Sequence, residues 1–284
     1  MLKVAISGST GLVGSRIQEL LYHDVVFIPL LRSKVDIADK ESVSEFVGQN
    51  DFDIMLHLAG YTAVDQAEKE REECKKINVD GTRNLFDEVT KKKKKFIYIS
   101  TDFVFDGKNS PYDESSQPNP IGWYAKTKYE GEKIIGNKGM IVRIAYPYRA
   151  SYGPKKDLIK GIRSYLEEGK KIAMLTDTII TPTFIDDIAF SLKHLLVHFS
   201  NEVYHVVGSG SYSPYDIAQK IAEAFKLDKS LIGKTTYDEF YKNSKIRPRD
   251  LTIKSKKNNS WKMKSIDEGL EEIKRQVKLK LPQT

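Results

Sequence analysis

The stretch KVAISGSTGLVG, residues 3–14, decides the fold, because it joins an apolar strand to a helix through three glycines. Gly8, Gly11 and Gly14 let the backbone turn tightly and approach a bound group closely. A helix that begins there offers free N–H groups and a positive dipole end to a diphosphate. The turn therefore predicts a dinucleotide site, although any tight strand-to-helix turn can use glycines. The predicted cofactor-binding residues of this loop are Gly8, Thr10, Gly11, Leu12, Val13 and Gly14.

Outward from this stretch, apolar strand-like runs alternate with amphipathic helical segments. The predicted strands are residues 3–7, 25–31, 54–59, 95–100, 140–145 and 203–210, and the predicted helices are 12–22, 71–90, 122–136, 157–171, 182–198 and 213–225. Strands and helices that alternate at this pitch form a parallel sheet covered on both faces. We therefore predict an α/β fold, a doubly wound parallel sheet of the Rossmann type.

After about residue 150 the alternation loosens, which predicts a second and smaller unit. Residues 1–150 are expected to form the dinucleotide-binding domain, to which residues 182–210 return. Residues 151–181 and 211–284 are expected to form a smaller α/β lid that binds the substrate. Pro182 is expected to open one of the later helices, since proline suits a first helical position.

The composition of the 284-residue chain is that of an ordinary globular protein, with 40% hydrophobic and 30% charged residues. Its one cysteine, Cys74, excludes an intrachain disulfide and fits a reducing compartment. No apolar run reaches the roughly 18 residues of a membrane span, and the first residues lack the regions of a signal peptide. We therefore expect a cytoplasmic protein without a membrane partner. The net charge of +7 is scattered without a recognition module, so no nucleic-acid partner is expected and an anionic substrate is favoured.

The end of the second predicted strand indicates which cofactor is preferred. An acid there would bind the ribose 2′-hydroxyl of NAD, whereas Arg32 and Ser33 suit the 2′-phosphate of NADP. NADPH is therefore the predicted cofactor, with NADH as the alternative if Arg32 is merely solvated. Loops that could flank the adenine or pack closely on the cofactor carry the remaining predicted contacts: Asp36, Ile37, Ala59, Gly60 and Tyr61.

Tyr124 and Lys128 are spaced so that on a helix they project from one face, about 6 Å apart along its axis. Tyr124 could protonate a developing alkoxide, but a phenol with a pKa near 10 is a slow acid at neutral pH. Lys128 would stabilise the phenolate and also hold the nicotinamide ribose hydroxyls. Thr101 at the end of the fourth predicted strand can donate to the same substrate oxygen. These residues form the predicted catalytic set, unless the Tyr–Lys spacing belongs to an ordinary surface helix.

Together these motifs resemble the extended short-chain dehydrogenase/reductases, and among them the dTDP-4-dehydrorhamnose reductase family. The matching stretches are GSTGLVG, AGYTAVDQAE, NVDGT, STDFVFDG, PYDE, YAKTKYEGE, VRIAYPY, PTFIDDIA and VYHVVGSG, with KIRPRD as a weaker match. The resemblance implies reduction by NADPH of the C4 ketone of a nucleotide-linked 6-deoxy-4-keto sugar, with Tyr124 delivering the proton. It also implies sugar-facing positions at Ser100, Thr101 and Tyr146.

Two further residues are expected to meet the substrate. Arg247 could clamp a diphosphate bidentately, although a solvated surface arginine is the alternative. Asp102 follows Thr101 and is followed by Phe103, whereas the related 4,6-dehydratases resemble TDEVYG, with an acid pair that performs elimination. One carboxylate of that pair is missing here. The resemblance therefore favours reduction over dehydration.

Departures from the family pattern leave some questions open. The family often has a glutamate after the glycine loop that helps to bind magnesium at a dimer interface, and Arg16 stands there, so no metal is expected. Thr178 and Ile180 replace a glutamine and a glycine before PTFIDDIA, which leaves the sugar and the nucleotide open. The choice between a monomer and a homodimer is also open. The alternative function is a non-catalytic, NADP-binding regulatory subunit resembling that of methionine adenosyltransferase.

Overall fold

A computed structural model of the chain describes residues 1–150, 157–242, 244 and 246–280. Its centre is a sheet of six parallel strands in the order β2-β1-β3-β4-β5-β9. The strands are β1 (Leu2–Ser7), β2 (Val25–Leu30), β3 (Ile54–His57), β4 (Lys95–Thr101), β5 (Met140–Ile144), β6 (Pro147–Tyr148), β7 (Ile172–Leu175), β8 (Thr183–Phe184), β9 (Val203–His205) and β10 (Ile232–Thr235). The predicted α/β fold with a parallel central sheet is confirmed.

Helices connect the strands and cover both faces of the sheet. They are α1 (Leu12–Leu21), α2 (Lys40–Gln49), α3 (Val64–Ala67), α4 (Arg71–Lys75), α5 (Gly81–Lys91), α6 (Trp123–Ile135), α7 (Leu158–Glu167), α8 (Ile185–Val197), α9 (Pro214–Phe225), α10 (Tyr237–Phe240) and α11 (Ile266–Lys280). Within the described ranges, no helix combines the length and the apolar character needed to cross a membrane.

The two faces of the sheet carry separate hydrophobic cores, because successive side chains of a strand point to opposite faces. In the first core, Ile97 and Ile99 of β4 belong to a cluster that includes α1 and α8. In the second core, Phe96 and Tyr98 of the same strand belong to a cluster that includes α2, α5 and α6. The central strands are therefore buried on both sides, which explains their nearly continuous apolar sequences.

The strand order creates a switch point beside β1. β2 lies on one side of β1, and β3, β4 and β5 follow on the other side. Ligands of such sheets bind outside the carboxyl ends of the strands at this point. The glycine turn follows β1, the loop at 58–61 follows β3, and Thr101 ends β4, so these segments meet at the expected edge.

A smaller unit packs beyond the main sheet around its own core, which we call the lid core. Apolar side chains of α7, α9 and α11 surround the parallel pair of β7 and β10, in which Ile172 lies beside Ile232. Residues 151–156, 243, 245 and 281–284 of the predicted lid lie outside the described residues.

The segment 246–256, which we call the C-terminal strap, runs along the loops that follow β4. Tyr112 forms backbone hydrogen bonds with the strap in both directions. Glu114 accepts hydrogen bonds from the backbone N–H of Lys256 at 2.9 Å and from that of His205 in β9 at 3.1 Å. The PYDE stretch therefore ties the strap to the main sheet.

The prediction of one continuous helix at 71–90 is wrong. A π-helical turn at Lys76–Asp80 separates α4 from α5. This turn carries the buried Asn78, whose side chain bonds the backbone of Tyr61. The π-helical turn therefore places a polar side chain in contact with the loop after β3. The spacing of apolar residues in the sequence does not reveal this contact.

Two other predicted boundaries are also wrong. Pro182 does not open a helix: Thr183–Phe184 form β8, which pairs with β6, and α8 begins at Ile185. The strand predicted at 203–210 ends at His205, whose pairing with Arg143 is the last between β9 and β5.

Candidate active site

The glycine turn after β1 is packed so closely that side chains would not fit in it. Gly8 has a φ of 70°, and a Cβ there would lie 2.8 Å from the Ala59 nitrogen. A Cβ at Gly14 would lie 2.3 Å from the Gly8 carbonyl oxygen, so glycine lets α1 start directly against the turn. Gly11, the N-cap residue of α1, has no side chain with which to cap the helix. The turn therefore presents an uncapped helix N-terminus, which fits a diphosphate.

The other predicted residues of this loop take different positions. Thr10 is exposed, whereas Leu12 and Val13 are half-buried and pack against the first core. Their side chains anchor the start of α1 to the sheet. Their contribution to a cofactor site would consequently come from the backbone.

The segment after β2 would line the far end of a bound dinucleotide. Arg32 and Ser33 are exposed in a turn that follows this edge strand, and Asp36 is exposed a little further on. Ile37 is buried, and a Cβ on Gly81 of α5 would lie only 2.7 Å from its Cγ1. The Arg32 guanidinium and the Ser33 hydroxyl are therefore accessible to a ligand, whereas Ile37 is packed tightly against α5.

The predicted cofactor-contacting loop at 59–61 follows β3 and is held by Asn78. The Tyr61 N–H donates to Asn78 Oδ1 at 2.7 Å, and Asn78 Nδ2 donates to Thr127 Oγ1 of α6 at 3.0 Å. A Cβ on Gly60 would lie 3.0 Å from Asn78 Oδ1, which explains the small residue there. One buried side chain thus joins this loop to helix α6. Sequence reasoning quoted the NVDGT stretch but missed this residue.

Thr101 and Asp102 form a hydrogen-bonded pair where β4 ends. The Thr101 hydroxyl donates to Oδ1 of Asp102 at 3.0 Å. The Asp102 side chain is 1% exposed, and its Oδ2 has no hydrogen-bond partner among the described residues. Burial disfavours the charged form and raises the pKa of Asp102 to about 7. The site thus holds a carboxyl group that is partly neutral near neutral pH and has one free oxygen.

Tyr124 lies in the first turn of α6 with its side chain buried. Its ring meets the Phe103 ring edge to face, with the centroids 6.0 Å apart. Burial raises the pKa of Tyr124 above its usual value, and hydrogen bonding by the Thr101 side chain opposes this rise. The two hydroxyl groups are therefore close enough to share one substrate oxygen, and the phenol keeps its proton at neutral pH.

Lys128 lies one helical turn beyond Tyr124 and points at the end of β4. Its Nζ donates to the carbonyl oxygen of Ile99 at 2.8 Å and lies 4.0 Å from the centroid of the Tyr98 ring. Burial lowers the pKa of Lys128 to about 7, and the negative charge of Glu132 opposes this decrease. The structure thus brings Lys128 to the strand end that carries Thr101.

Two predicted substrate residues, Tyr146 and Arg247, lie beside the Phe103 ring. The Tyr146 ring centroid lies 5.9 Å from that of Phe103, and the guanidinium carbon of Arg247 lies 6.0 Å from it. Burial raises the pKa of Tyr146, and the charge of Asp102 raises it further. Arg247 Nη2 donates to Asp65 at 2.7 Å, while its buried Nε has no partner among the described residues. The strap therefore brings an arginine to the edge of the site.

Ser100 does not fit its predicted sugar-facing role. Its hydroxyl donates to Glu132 Oε1 at 2.5 Å. The Ser100 side chain is thereby held against Glu132 in the third turn of α6, whereas Thr101 lies beside Tyr124 in the first turn of that helix. The proposed site therefore does not include the Ser100 side chain.

Arg16 and Thr178, which depart from the family pattern, differ in their hydrogen bonding. The Arg16 guanidinium donates to both carboxylate oxygens of Asp186, each at 2.7 Å, and to Gln276 at 3.1 Å. Thr178 is buried, and its hydroxyl has no partner among the described residues. Arg16 thus links α1 to α8 and α11, and Thr178 leaves a polar atom near the strap.

A parallel sheet with this glycine turn, and with a tyrosine–lysine pair on the helix after β4, defines a class of proteins. That class is the extended short-chain dehydrogenase/reductases, and the chain falls within it. The RmlD substrate binding domain family matches residues 2–278, and the chain belongs to that family.

Individual proteins agree with this assignment. The crystal structure of dTDP-4-dehydrorhamnose reductase from Bacillus anthracis str. Ames in complex with NADP is similar with a TM-score of 0.89 and 31% identity, over 97% of this chain and 100% of that one. The spore coat polysaccharide biosynthesis protein SpsK of Bacillus subtilis (strain 168) is 31% identical over 87% of each chain. Methionine adenosyltransferase 2 subunit beta of Bos taurus is 29% identical over 80% of this chain and 73% of that protein. The predicted family and the class of NAD(P)-dependent reductases are confirmed.

Proposed function

We propose that the protein reduces the C4 ketone of a nucleotide-linked 6-deoxy-4-keto sugar with NADPH. The observation that carries this proposal is the meeting of Thr101, Tyr124 and Lys128 at the carboxyl end of β4. A binding protein needs no buried phenol beside a hydroxyl and an amine. A ketone reductase can use all three groups, because it needs a positioned proton donor for the developing alkoxide.

The cofactor end of the site fits NADPH. The uncapped start of α1 suits the diphosphate, and the exposed Arg32 and Ser33 suit the 2′-phosphate. The NADP complex of the similar Bacillus anthracis reductase supports the same choice. When bound, NADPH supplies the hydride that reduces the ketone carbon.

The chain itself supplies the proton and holds the oxygen. Tyr124 keeps its proton at neutral pH and gives it to the alkoxide as that oxygen becomes charged. The Thr101 hydroxyl, which donates to Asp102 Oδ1 in the structure, would turn its one proton to the same oxygen and orient it. Lys128 stabilises the resulting phenolate and, at the end of β4, would bond the ribose hydroxyls.

The substrate end of the site combines a carboxyl group, a phenol and an arginine. The free Oδ2 of Asp102 is available to a sugar hydroxyl, and Arg247 to a phosphate oxygen. The strap and the lid would close over the nucleotide. Phe103 occupies the position where a second acid would be needed for dehydration, which supports reduction.

Loss of the reduced nicotinamide absorbance with a dTDP-linked 4-keto-6-deoxy sugar tests the proposal. Tyr124→Phe removes only a hydroxyl and should lower kcat by at least about 100-fold. Tyr129→Phe is the matched control, because Tyr129 lies on the same helix outside the site. Equal turnover by Tyr124→Phe and wild type would contradict the proposal.

A regulatory role is the second candidate, and the similarity to methionine adenosyltransferase 2 subunit beta favours it. In that case wild type would bind NADPH but reduce neither dTDP- nor UDP-linked keto sugars. Tyr124→Phe would then leave partner binding intact. Turnover by wild type decides between the two functions.

A further inference from the structure

Helix α6, which carries Tyr124, begins at a residue that cannot cap it. The N-cap residue Gly122 has no side chain, and a Cβ there would lie 2.7 Å from the carbonyl oxygen of Ile246 in the C-terminal strap. The strap therefore requires glycine at a position where serine, threonine, asparagine or aspartate would ordinarily bond the first N–H groups of a helix. The start of α6 consequently needs a hydrogen-bond acceptor from another part of the chain.

Glu68 supplies this acceptor from 55 residues away in the sequence. Its Oε1 accepts a hydrogen bond at 2.6 Å from the backbone N–H of Trp123, the first residue of α6. The carboxylate also brings a negative charge to the positive end of the helix dipole. Glu68 directly follows α3 and ends the AGYTAVDQAE stretch, and the proposed chemistry does not yet use it.

Arg71, the first residue of α4, holds both partners of this hydrogen bond. Its Nη2 donates to Glu68 Oε2 at 2.8 Å, and its carbonyl oxygen accepts from the indole N–H of Trp123 at 2.9 Å. The guanidinium carbon lies 5.1 Å from the centroid of the Trp123 ring. Glu68, Arg71 and Trp123, which we call the α6 clamp, thus join α4 to the first residue of α6.

The backbone of Tyr124 lies between this clamp and a second point of attachment. Tyr124 directly follows Trp123, and its carbonyl oxygen accepts from the Thr127 hydroxyl at 2.8 Å. Thr127 in turn accepts from Asn78 at 3.0 Å. The first turn of a helix frays readily when its N–H groups lack partners. Without the clamp, the start of α6 would therefore be free to move relative to Thr101.

We propose that Glu68 is a positioning residue, whose carboxylate holds the first turn of α6 and thereby keeps the Tyr124 hydroxyl beside Thr101. This inference rests on the proposed function for the role of Tyr124. Glu68 acts through the backbone of Trp123, so its effect falls on proton transfer rather than on the binding of NADPH or the sugar.

Hydrogen exchange of the Trp123 amide, measured by NMR on the protein alone, tests the hydrogen bond. The first N–H of an α-helix has no acceptor within the helix and ordinarily exchanges rapidly. In wild type this amide should nevertheless be protected, and Glu68→Ala should increase its exchange rate by about tenfold or more. Glu72→Ala, which removes an exposed carboxylate from α4, should leave the rate unchanged. Rapid exchange in wild type would overturn the inference without the need for any variant to fold.

Reduction of a dTDP-linked 4-keto-6-deoxy sugar separates positioning from a merely structural role. Glu68→Ala should lower kcat by about 10- to 100-fold, because a displacement of Tyr124 by about 1 Å is enough to do so. The KM for the sugar and the NADPH affinity should be unchanged. Glu68→Gln keeps an acceptor oxygen on a side chain of the same length and should restore most of kcat. Glu72→Ala should turn over like wild type.

A wild-type kcat in Glu68→Ala would overturn the inference. An equal loss of kcat in Glu68→Gln and Glu68→Ala would also overturn it, because the effect would then belong to the charge and not to the hydrogen bond. If the Trp123 amide is protected as expected but wild type reduces no keto sugar, the proposed function fails while Glu68 still holds the helix start. If wild type reduces the sugar and Glu68→Ala keeps its kcat, the inference alone fails.

Discussion

At the residue scale, Asp102 shows how a residue of the proposed active site can reduce the stability of a fold. Its carboxyl group is buried with one oxygen unpaired, a condition that favours the neutral acid. Evolution retains such groups where a ligand uses them. Substrate hydroxyls would complete the missing hydrogen bond.

The first prediction concerns the stability of Asp102→Asn against pH. The folded pKa of Asp102 lies above its unfolded value, so its contribution to stability is complete below about pH 4 and is lost as pH rises to about 7. Asn mimics the neutral acid and has no such dependence. As pH rises from about 4 to about 7, the free energy of unfolding of the variant should therefore increase relative to that of wild type by on the order of 3 kcal/mol. Urea unfolding at several pH values measures this.

Asp87→Asn is the control, because Asp87 is exposed on α5. It should follow wild type at every pH. A constant difference between Asp102→Asn and wild type across the range would show that the Asp102 carboxyl is ionised throughout.

The second prediction concerns Asn78, which joins the 59–61 loop to α6. Asn78→Ala leaves the Tyr61 N–H and carbonyl without partners, which should lower the free energy of unfolding by about 2–3 kcal/mol. NADPH affinity should fall as the loop loosens. Asn50→Ala is the control, because it loses a single hydrogen bond to Phe46. It should lower the free energy of unfolding by only about 1 kcal/mol and leave the NADPH affinity unchanged. Equal NADPH affinity in both variants would contradict this role.

At the scale of elements, the start of α1 depends on the absence of a side chain. Gly14→Ala would place a Cβ 2.3 Å from the Gly8 carbonyl oxygen, so the helix must move away from the turn. We expect the free energy of unfolding to fall by about 2–4 kcal/mol and the NADPH affinity to decrease strongly. Calorimetry and a binding titration on the same sample measure both effects.

Gly48→Ala is the matched control for this substitution. Gly48 lies in α2, and a Cβ there meets no atom within 4 Å. Alanine should stabilise this helix by about 0.5–1 kcal/mol and leave cofactor binding alone. A stable Gly14→Ala protein with normal NADPH affinity would contradict the proposed use of the turn.

The elements also show what sequence can and cannot predict. The glycine turn and the Tyr124–Lys128 pair were predictable, because local spacing determines both. The side chain of Ser100 is bonded to Glu132 and does not face the proposed site. Its predicted sugar-facing role came from the family motif alone. Asn78 and Glu68 were missed, because their partners are distant in sequence and the residues alone give no sign of them.

At the scale of the whole molecule, the strap links the lid to the catalytic sheet. The KIRPRD and PYDE motifs were detected separately in the sequence. Their proximity depends on the fold, in which Ser110, just before PYDE, donates to Asp250 of KIRPRD, about 140 residues away. Glu114 receives three hydrogen bonds in this region, from His205, Ser255 and Lys256. The position of Arg247 depends on this attachment.

The fourth prediction tests that attachment. Glu114→Ala should increase hydrogen exchange of residues 246–256 and weaken substrate binding, with NADPH affinity preserved, because the glycine turn is at the other end of the site. Glu45→Ala removes an exposed carboxylate from α2 and should change neither. Loss of NADPH affinity in Glu114→Ala would show that the strap supports the whole site.

The central claim is that hydride passes to a sugar carbon of a nucleotide-linked substrate. The most direct measurement incubates the protein with deuterium-labelled NADPH and a dTDP-linked 4-keto-6-deoxy sugar, and then locates the label by NMR. We expect deuterium at C4 of the sugar in the wild-type product and almost none with Tyr124→Phe. NADPH binding without label in any keto sugar, dTDP- or UDP-linked, would contradict it.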